Sequence, residues 1–265
     1  MELVDGLLSS ISDTLVHTGT AYFRYTIFCF LLFWAILEQR LTHFRIQPRR
    51  RTKVKVIFRE IEYSFSTLVV IGTVGWILDR LVFHSRYGLF YDNAYTNISD
   101  YGWGYFVLSV FLMLVFDDTY FYWAHRFLHH PKLFHRVHKI HHYSVDPNPF
   151  TTYSFHPLEA AILFLGQMIT LSIIPVHDLA VSIWALLTLL NGIVIHLGYE
   201  IYPQWFTKSW LTNWKTPCTH HNMHHEKFNG NYALIFTWWD KLMGTEIPDY
   251  KARLEAVQRR KLVSK

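Results

Sequence analysis

Long apolar runs separated by short polar segments dominate the first two-thirds of the chain. Five runs approach the ~20 residues that a helix needs to cross a bilayer. They cover residues 21–38, 63–83, 104–123, 158–175 and 179–198. A soluble protein with buried helices is the alternative, but five such runs exceed what one soluble core needs. The pattern predicts an all-α, polytopic membrane protein with about four to five transmembrane helices.

The positive charges indicate how these helices are oriented. Threading five spans places residues 39–62, 124–157 and 199–265 on one side, together with 22 of the 25 lysines and arginines. Because lysine and arginine favour the cytoplasmic side, we expect that side to be cytoplasmic. The basic run within residues 49–55 is typical of a topogenic, lipid-facing segment, and we expect no nucleic-acid partner.

Composition narrows the class of protein further. A chain that is 51% hydrophobic and 17% charged is not an intrinsically disordered protein. Two cysteines are too few for a disulfide scaffold. Residues 199–217 carry Trp205, Trp210 and Trp214, which predicts a stretch lying at headgroup depth or packing against a cytoplasmic cap.

Histidines are concentrated in two places. Seven of the 17 lie between His125 and His142, and four lie between His220 and His225. They form three boxes in which the residues are spaced by three or four positions, so each box shares one face of a helix. The members are His125 and His129; His138, His141 and His142; and His221, His224 and His225.

Imidazole is the commonest metal ligand near neutral pH and suits iron, zinc and copper. One tetrahedral zinc ion needs only four ligands, so eight positions favour two metal ions. A pair of redox-active ions could bind O2 between them, which zinc could not exploit. The alternative is a non-catalytic metal-binding protein, either a zinc scaffold or a metal carrier. A carrier should hold its ligands midway through its spans, whereas these lie beyond the span ends, which favours an enzyme.

Several other polar residues are candidates for the same site. His196, at the end of the fifth span, is a further candidate ligand, and His156 and His220 are weaker ones. Asp117 and Asp118 lie near the end of the third span. Because a carboxylate inside a membrane requires a partner, we expect them to hydrogen-bond to a ligand histidine.

Residues 104–246 resemble the fatty acid hydroxylase/sterol desaturase superfamily, whose signature is three histidine boxes of the forms HX3H, HX2HH and HX2HH. The matching segments are DDTYFYWAHRFLHHP, HKIHHYSVDPNPFTTYSFHPLEA and THHNMHHEKFNGNYALIFTWWDKLMGT. The last two are most similar to the C-5 sterol desaturase branch and its bacterial relatives.

The resemblance implies a nonhaem di-iron enzyme that uses O2 and two electrons to hydroxylate or desaturate a lipid of the sterol, fatty acyl or sphingoid type. The eight box histidines would act in catalysis through two iron ions, which zinc could replace in a purified form. Because relatives differ in the spacing of the first box, His130 could replace or join His129. Some relatives have a further HX3H pair, and here that position reads His196-x3-Glu200, so Glu200 is also a candidate.

The resemblance also implies partners and a location. The chain lacks the HPGG motif of a fused cytochrome b5 domain, so we expect a separate donor, cytochrome b5-like or ferredoxin-like, at the cytoplasmic face. The lipid would enter from the bilayer of the endoplasmic reticulum or of a bacterial inner membrane. We expect one integral-membrane domain over residues 1–265, with membrane helices and a basic loop over 20–103, the catalytic region over 104–246 and a basic tail over 247–265.

Overall fold

The structure, a computed structural model, describes residues 2–36, 40–48, 52–78 and 94–263. Helices account for nearly all of the regular structure in these residues, and the all-α prediction is confirmed. They are α1 (Glu2–Thr14), α2 (Thr20–Phe30), α3 (Val54–Leu78), α4 (Gly102–Leu128), α5 (Pro131–Leu133), α6 (Lys139–His142), α7 (Pro157–Ile173), α8 (Asp178–Ile195), α9 (Gln204–Lys208), α10 (Cys218–Lys227), α11 (Trp238–Leu242) and α12 (Tyr250–Val263). The short strands β1 (Ala94–Tyr95) and β2 (Val176–His177) pair in parallel.

Within the described residues, three helices are long and apolar enough to cross a membrane: α3, α4 and α8. The fourth predicted span corresponds to α7, which is apolar but has 17 residues. The first predicted span, residues 21–38, lies in the helical region formed by α1 and α2, except that its last two residues, 37 and 38, lie outside the described residues. There, the π-helical segments Leu15–Gly19 and Leu31–Ile36 extend the helix to Ile36. The protein is therefore a membrane protein with fewer full-length spans among these residues than the apolar runs suggested.

Helix α3 begins nine residues earlier than the predicted span, and the end of that prediction, residues 79–83, lies outside the described residues. The apolar run begins after Glu60, whose carboxylate is buried, and a buried carboxylate without partners is costly. In the structure Glu60 has partners: it accepts hydrogen bonds from Asn148 Nδ2 (2.7 Å), Thr151 Oγ1 (3.0 Å) and the Ser144 hydroxyl. These bonds attach α3 to the segment that follows the second histidine box.

A second contact attaches the N-terminal region to the same segment. Arg45 Nη2 donates to Asp146 Oδ2 at 2.6 Å, and both side chains are buried. The Arg45 guanidinium also lies 4.1 Å from the ring centroid of Trp34, a cation–π arrangement. Much of the basic run used to predict orientation, residues 49–51, lies outside the described residues, as do Arg80 and Arg86.

The segment between α8 and α10 leaves large aromatic side chains exposed. Trp205 is 71% and Trp210 is 79% exposed, whereas Trp214 packs on Phe236 with ring centroids 5.3 Å apart. Exposed indoles beside apolar helices are typical of a membrane interface. The two expected roles of this stretch therefore divide between its tryptophans, two facing outward and one packing inward.

Helices α4 and α7 approach closely where a glycine faces an aromatic ring. A Cβ added at Gly166 would lie 2.1 Å from Tyr120 Cδ1 and 2.7 Å from Tyr120 Cγ. The ring is also held at its far end, because the Tyr120 hydroxyl donates to the Ile162 carbonyl at 2.9 Å. Any side chain at Gly166 therefore requires the Tyr120 ring or one of these two helices to shift.

We predict that Gly166→Ala lowers the free energy of unfolding by about 1–3 kcal/mol through this overlap. Gly75→Ala is the matched control, because its Cβ would meet Phe164 at an ordinary 3.7 Å and both glycines lie inside helices. Thermal unfolding of the two variants in the same detergent checks this. Equal melting temperatures would contradict the packing described here.

Candidate metal centre

Four parts of the chain bring the histidines together. His125 lies in the last turn of α4, and His129 follows as the residue that caps this helix. The second box lies on the π-helical segment Phe134–His138 and on α6, and the third lies on α10. His196 caps the C-terminal end of α8. The site is thus built at the ends of two apolar helices and on the polar segments that follow them.

The structure assembles these histidines into two groups, in each of which the nitrogens available to a metal lie within 4.8 Å of one another. All are buried except His129, which is partly exposed. We call them the five-histidine group and the four-histidine group. The first contains His125, His129, His138, His142 and His224, and the second contains His141, His196, His221 and His225.

Each HxxHH box contributes to both groups. In the second box, His138 and His142 are four residues apart and join the five-histidine group, while His141 joins the other. In the third box, His221 and His225 join the four-histidine group and His224 joins the other. The repeated spacing therefore places histidines from one short segment in two neighbouring groups.

The Nε2 atoms of the five-histidine group point at one another. His138 Nε2 lies 3.0 Å from both His125 Nε2 and His142 Nε2, and His142 Nε2 lies 3.2 Å from His129 Nε2. Nitrogens bound to one ion at about 2.0–2.1 Å are separated by similar distances. This spacing fits a single metal ion.

The four-histidine group has the same internal geometry. His221 Nε2 lies 3.0 Å from His196 Nε2 and 3.2 Å from His225 Nε2. The ring centroids of His141 and His225 are 4.6 Å apart, which completes the group. The two groups are neighbours, since the ring centroids of His142 and His225 are 4.9 Å apart.

Short hydrogen bonds to backbone carbonyls determine which nitrogen carries the proton in three of the rings, and a longer one, of 3.4 Å, joins His141 Nδ1 to Ser154 O. Since a carbonyl can only accept, Nδ1–H of His125 donates to Tyr232 O and Nδ1–H of His224 donates to Gly230 O, both at 2.8 Å. Likewise, His196 Nδ1–H donates to a carbonyl of its own helix, that of Gly192, at 2.7 Å. In each neutral ring the lone pair is therefore on Nε2, the atom that faces the group.

A carboxylate fixes a fourth ring. His138 Nδ1 lies 2.6 Å from Glu159 Oε1, and both side chains are fully buried. A carboxylate that accepts from the outer nitrogen of a ligand histidine orients the ring and strengthens the inner nitrogen as a donor to metal.

These hydrogen bonds test whether the residues fit a metal. With Glu159 ionised and accepting from His138 Nδ1–H, both His125 and His138 present Nε2 lone pairs at a separation of 3.0 Å in the five-histidine group. Two lone pairs at that distance repel unless a cation lies between them. The donor set therefore fits a metal ion in each group better than it fits a network of hydrogen-bonded neutral imidazoles.

Burial keeps the ligand rings neutral. It lowers the pKa of His142 and of His224 well below the ordinary value for histidine, and neighbouring imidazoles lower it further. The same two causes lower the pKa of His221 and of His225. Neutral imidazole is the form that binds metal.

Four of the weaker candidate ligands lie outside both groups. The Nδ1 atoms of His130 and His156 accept from the backbone N–H of the residue two positions later, so each begins a helix. His220 is buried with Nε2 at 3.6 Å from Asp240 Oδ2. Glu200 accepts from backbone N–H groups, including that of Thr219 at 2.9 Å.

The expected contact between the α4 carboxylates and a ligand histidine is wrong for Asp118. Asp118 Oδ1 instead accepts from the backbone N–H of Ile235 at 2.6 Å and of Phe236 at 3.4 Å. Asp117 is buried beside it, and its Oδ2 has no hydrogen-bond partner among the described residues. Unpaired N–H groups of the loop are stronger competitors for Asp118 than a histidine already bonded to a carbonyl.

Sequence reasoning missed Glu159. It lies in the first turn of α7, in the Phe-His-Pro-Leu-Glu segment quoted above, and it contacts His138 from across the site. The sequence does indicate that Glu159 needs a partner, because a carboxylate in the first turn of an apolar helix requires one, as Asp117 and Asp118 do in their helix. Its partner could not be chosen without the fold.

Comparisons with known proteins agree with the geometry. The fatty acid hydroxylase family matches residues 110–245, which include every residue of the two histidine groups. No solved structure matches the chain significantly.

Curated relatives are sterol-modifying enzymes. A delta(7)-sterol 5(6)-desaturase of Gibberella zeae is 30% identical over 89% of this chain and 68% of its own length. Another, from Schizosaccharomyces pombe, is 30% identical over 87% of this chain and 74% of its own. Methylsterol monooxygenase 1 of Rattus norvegicus is 34% identical, with 65% of this chain covering 59% of that protein. The chain therefore belongs to the fatty acid hydroxylase family and, within it, to the sterol desaturase-like branch of membrane oxidoreductases.

Proposed function

We propose that the protein is a di-iron oxidoreductase that uses O2 and two electrons to hydroxylate or desaturate a C–H site of a membrane lipid. The observation that carries the proposal is the pair of buried histidine groups, in which neutral imidazoles turn their lone pairs toward two adjacent positions. The names of the relatives support a sterol as the substrate. Fatty acyl and sphingoid lipids are the alternative substrates, and lipid mass spectrometry would distinguish them from a sterol.

One iron ion in each group is the arrangement that the donor set supports. Imidazole suits both iron and zinc, but only iron changes oxidation state in this role. When bound, such a pair would supply reductive activation of O2 for attack on an unactivated C–H bond. The proposed ligands are the nine histidines of the two groups.

The protein itself orients the histidine rings and excludes water from the proposed metal centre. Carbonyls and Glu159 hold protons on outer Nδ1 atoms, as at His125 and His138, and so aim the inner nitrogens. Burial keeps the rings neutral and removes water that would compete for the site. The lipid must therefore be aimed at the site by the surrounding helices.

The placement of the site supports a lipid substrate from the bilayer and a separate electron donor. His125 lies at the end of α4, a candidate membrane span, so the site would lie beside the membrane surface. The excess of lysine and arginine on that side supports a cytoplasmic orientation. A cytochrome b5-like or ferredoxin-like donor would then reach the site from the cytoplasm, at the endoplasmic reticulum or a bacterial inner membrane.

We predict two metal ions per chain, distributed between the groups. His138→Ala and His221→Ala each remove a ring whose Nε2 contacts two others in its group, so each variant should lose about one of the two ions after dialysis against a chelator. His135→Ala is the control, because this ring is exposed and belongs to neither group. Elemental analysis of purified protein checks this, and two retained ions in both test variants would contradict the ligand assignment.

We also predict an O2-dependent change in one lipid class. Cells that express the native chain or His135→Ala should contain the product, while His221→Ala should reduce it by about 100-fold or more. Lipid mass spectrometry after growth with ¹⁸O2 distinguishes the reactions. A lipid that gains ¹⁸O indicates hydroxylation, and one that loses two hydrogens indicates desaturation. An unchanged lipid profile, or a product that forms without O2, would contradict the proposed function.

A further inference from the structure

The loop between α10 and α11, residues 228–237, forms one wall of the five-histidine group. Two of its carbonyls accept from ligand rings on different helices: Tyr232 O from His125 on α4 and Gly230 O from His224 on α10. The loop has no helical hydrogen bonds of its own to hold these carbonyls in place, so another group must fix their direction.

Asp240, in the first turn of α11, holds the part of this loop that carries the Tyr232 carbonyl. Its side chain is fully buried. Oδ1 accepts from the backbone N–H of Tyr232 at 2.9 Å, and Oδ2 accepts from that of Ala233 at 2.8 Å. Oδ1 also accepts from the Thr245 hydroxyl at 2.7 Å, and His220 Nε2 lies 3.6 Å from Oδ2.

The hydrogen bond between Ala233 and Asp240 and the hydrogen bond between His125 and Tyr232 meet at a single peptide group. The N–H of Ala233 and the C=O of Tyr232 are opposite ends of one planar unit, so Asp240 binds one end while His125 binds the other. Hydrogen bonds arranged in series polarise one another, which makes the carbonyl a better acceptor for His125 Nδ1–H. The arrangement is a carboxylate–histidine pair with one peptide group inserted between its members.

We propose that Asp240 is a positioning residue for the five-histidine group, acting on His125 through the peptide group between Tyr232 and Ala233. The inference rests on the proposed metal centre. It gives that centre two carboxylates with related roles, since Glu159 contacts His138 directly and Asp240 reaches His125 through the backbone.

The loop also supplies a matched control. Asp118 accepts from the N–H groups of Ile235 and Phe236, so it holds the same loop by the same kind of bond. The carbonyls of these two peptide groups, however, do not face a ligand ring: Leu234 O accepts from Asn191 Nδ2 at 3.1 Å, and Ile235 O accepts from the Thr216 N–H at 2.9 Å. A variant at Asp118 therefore loosens the loop without acting on the peptide group that faces His125.

The experiment is a titration of metal-free protein in detergent with cobalt(II), followed by visible absorption. The native chain should bind two equivalents. Asp240→Asn keeps the shape but places an amide donor against backbone N–H groups, so it should weaken one of the two equivalents by about 10- to 100-fold and alter its absorption band. Asp118→Asn should leave both affinities within about threefold of native.

Two results would overturn the positioning role: native affinities in Asp240→Asn, or an equal loss in Asp118→Asn. If Asp240→Asn fails to fold, Thr245→Val is the second variant. It removes the hydroxyl bond to Asp240 Oδ1 together with the bond to the Tyr122 hydroxyl, and it leaves both backbone bonds of Asp240 in place. It should weaken the same equivalent by about 3- to 10-fold, whereas unchanged binding in this variant would reject the role. A native chain that binds fewer than two cobalt ions would reject the proposed metal centre itself. Two bound ions in the native chain with no effect at Asp240 would reject only the inference about this residue.

Discussion

The central constraint on this structure is that nine imidazole rings are buried with their inner nitrogens close together, where the lone pairs of neighbouring rings repel one another. Nine histidines are collected where water has little access, and pairs such as His125 and His138 bring their Nε2 atoms to 3.0 Å. Protonation would relieve the repulsion within a pair, but burial and neighbouring rings lower the pKa of histidines such as His224 and oppose it. A metal ion bound at each group would relieve the same repulsion without that cost. The family membership of the chain is consistent with this physical requirement.

The surrounding scaffold supplies hydrogen-bond acceptors for the outer nitrogens of several of these rings. Carbonyls at Gly192, Gly230 and Tyr232 accept from three rings, and Glu159 accepts from a fourth. These acceptors come from α7, α8 and the loop before α11, so ligand direction depends on tertiary packing and not on the histidine boxes alone. The bonds from Glu60 to the segment after α6 extend this dependence to α3.

The sequence predicted which histidines cluster better than it predicted what orients them. Spacing by three and four residues places imidazoles on one helical face whatever the fold, so the three boxes could be read directly. The division of each HxxHH box between two groups required the arrangement of α6 against α10. The roles of Asp118 and Glu159 depend on partners more than 20 positions away, and a carboxylate's need for a partner does not say which one it finds. The early start of α3 escaped prediction for the same reason, because the partners of Glu60 lie beyond residue 140.

X-ray absorption at the iron edge tests the central claim most directly, because it counts the imidazoles around the metal. Group sizes of five and four predict an average of about four to five nitrogen ligands per iron at roughly 2.0–2.2 Å, with the scattering pattern of imidazole rings. An average of two or fewer imidazoles, or a shell dominated by oxygen, would contradict the assignment of both groups as metal sites.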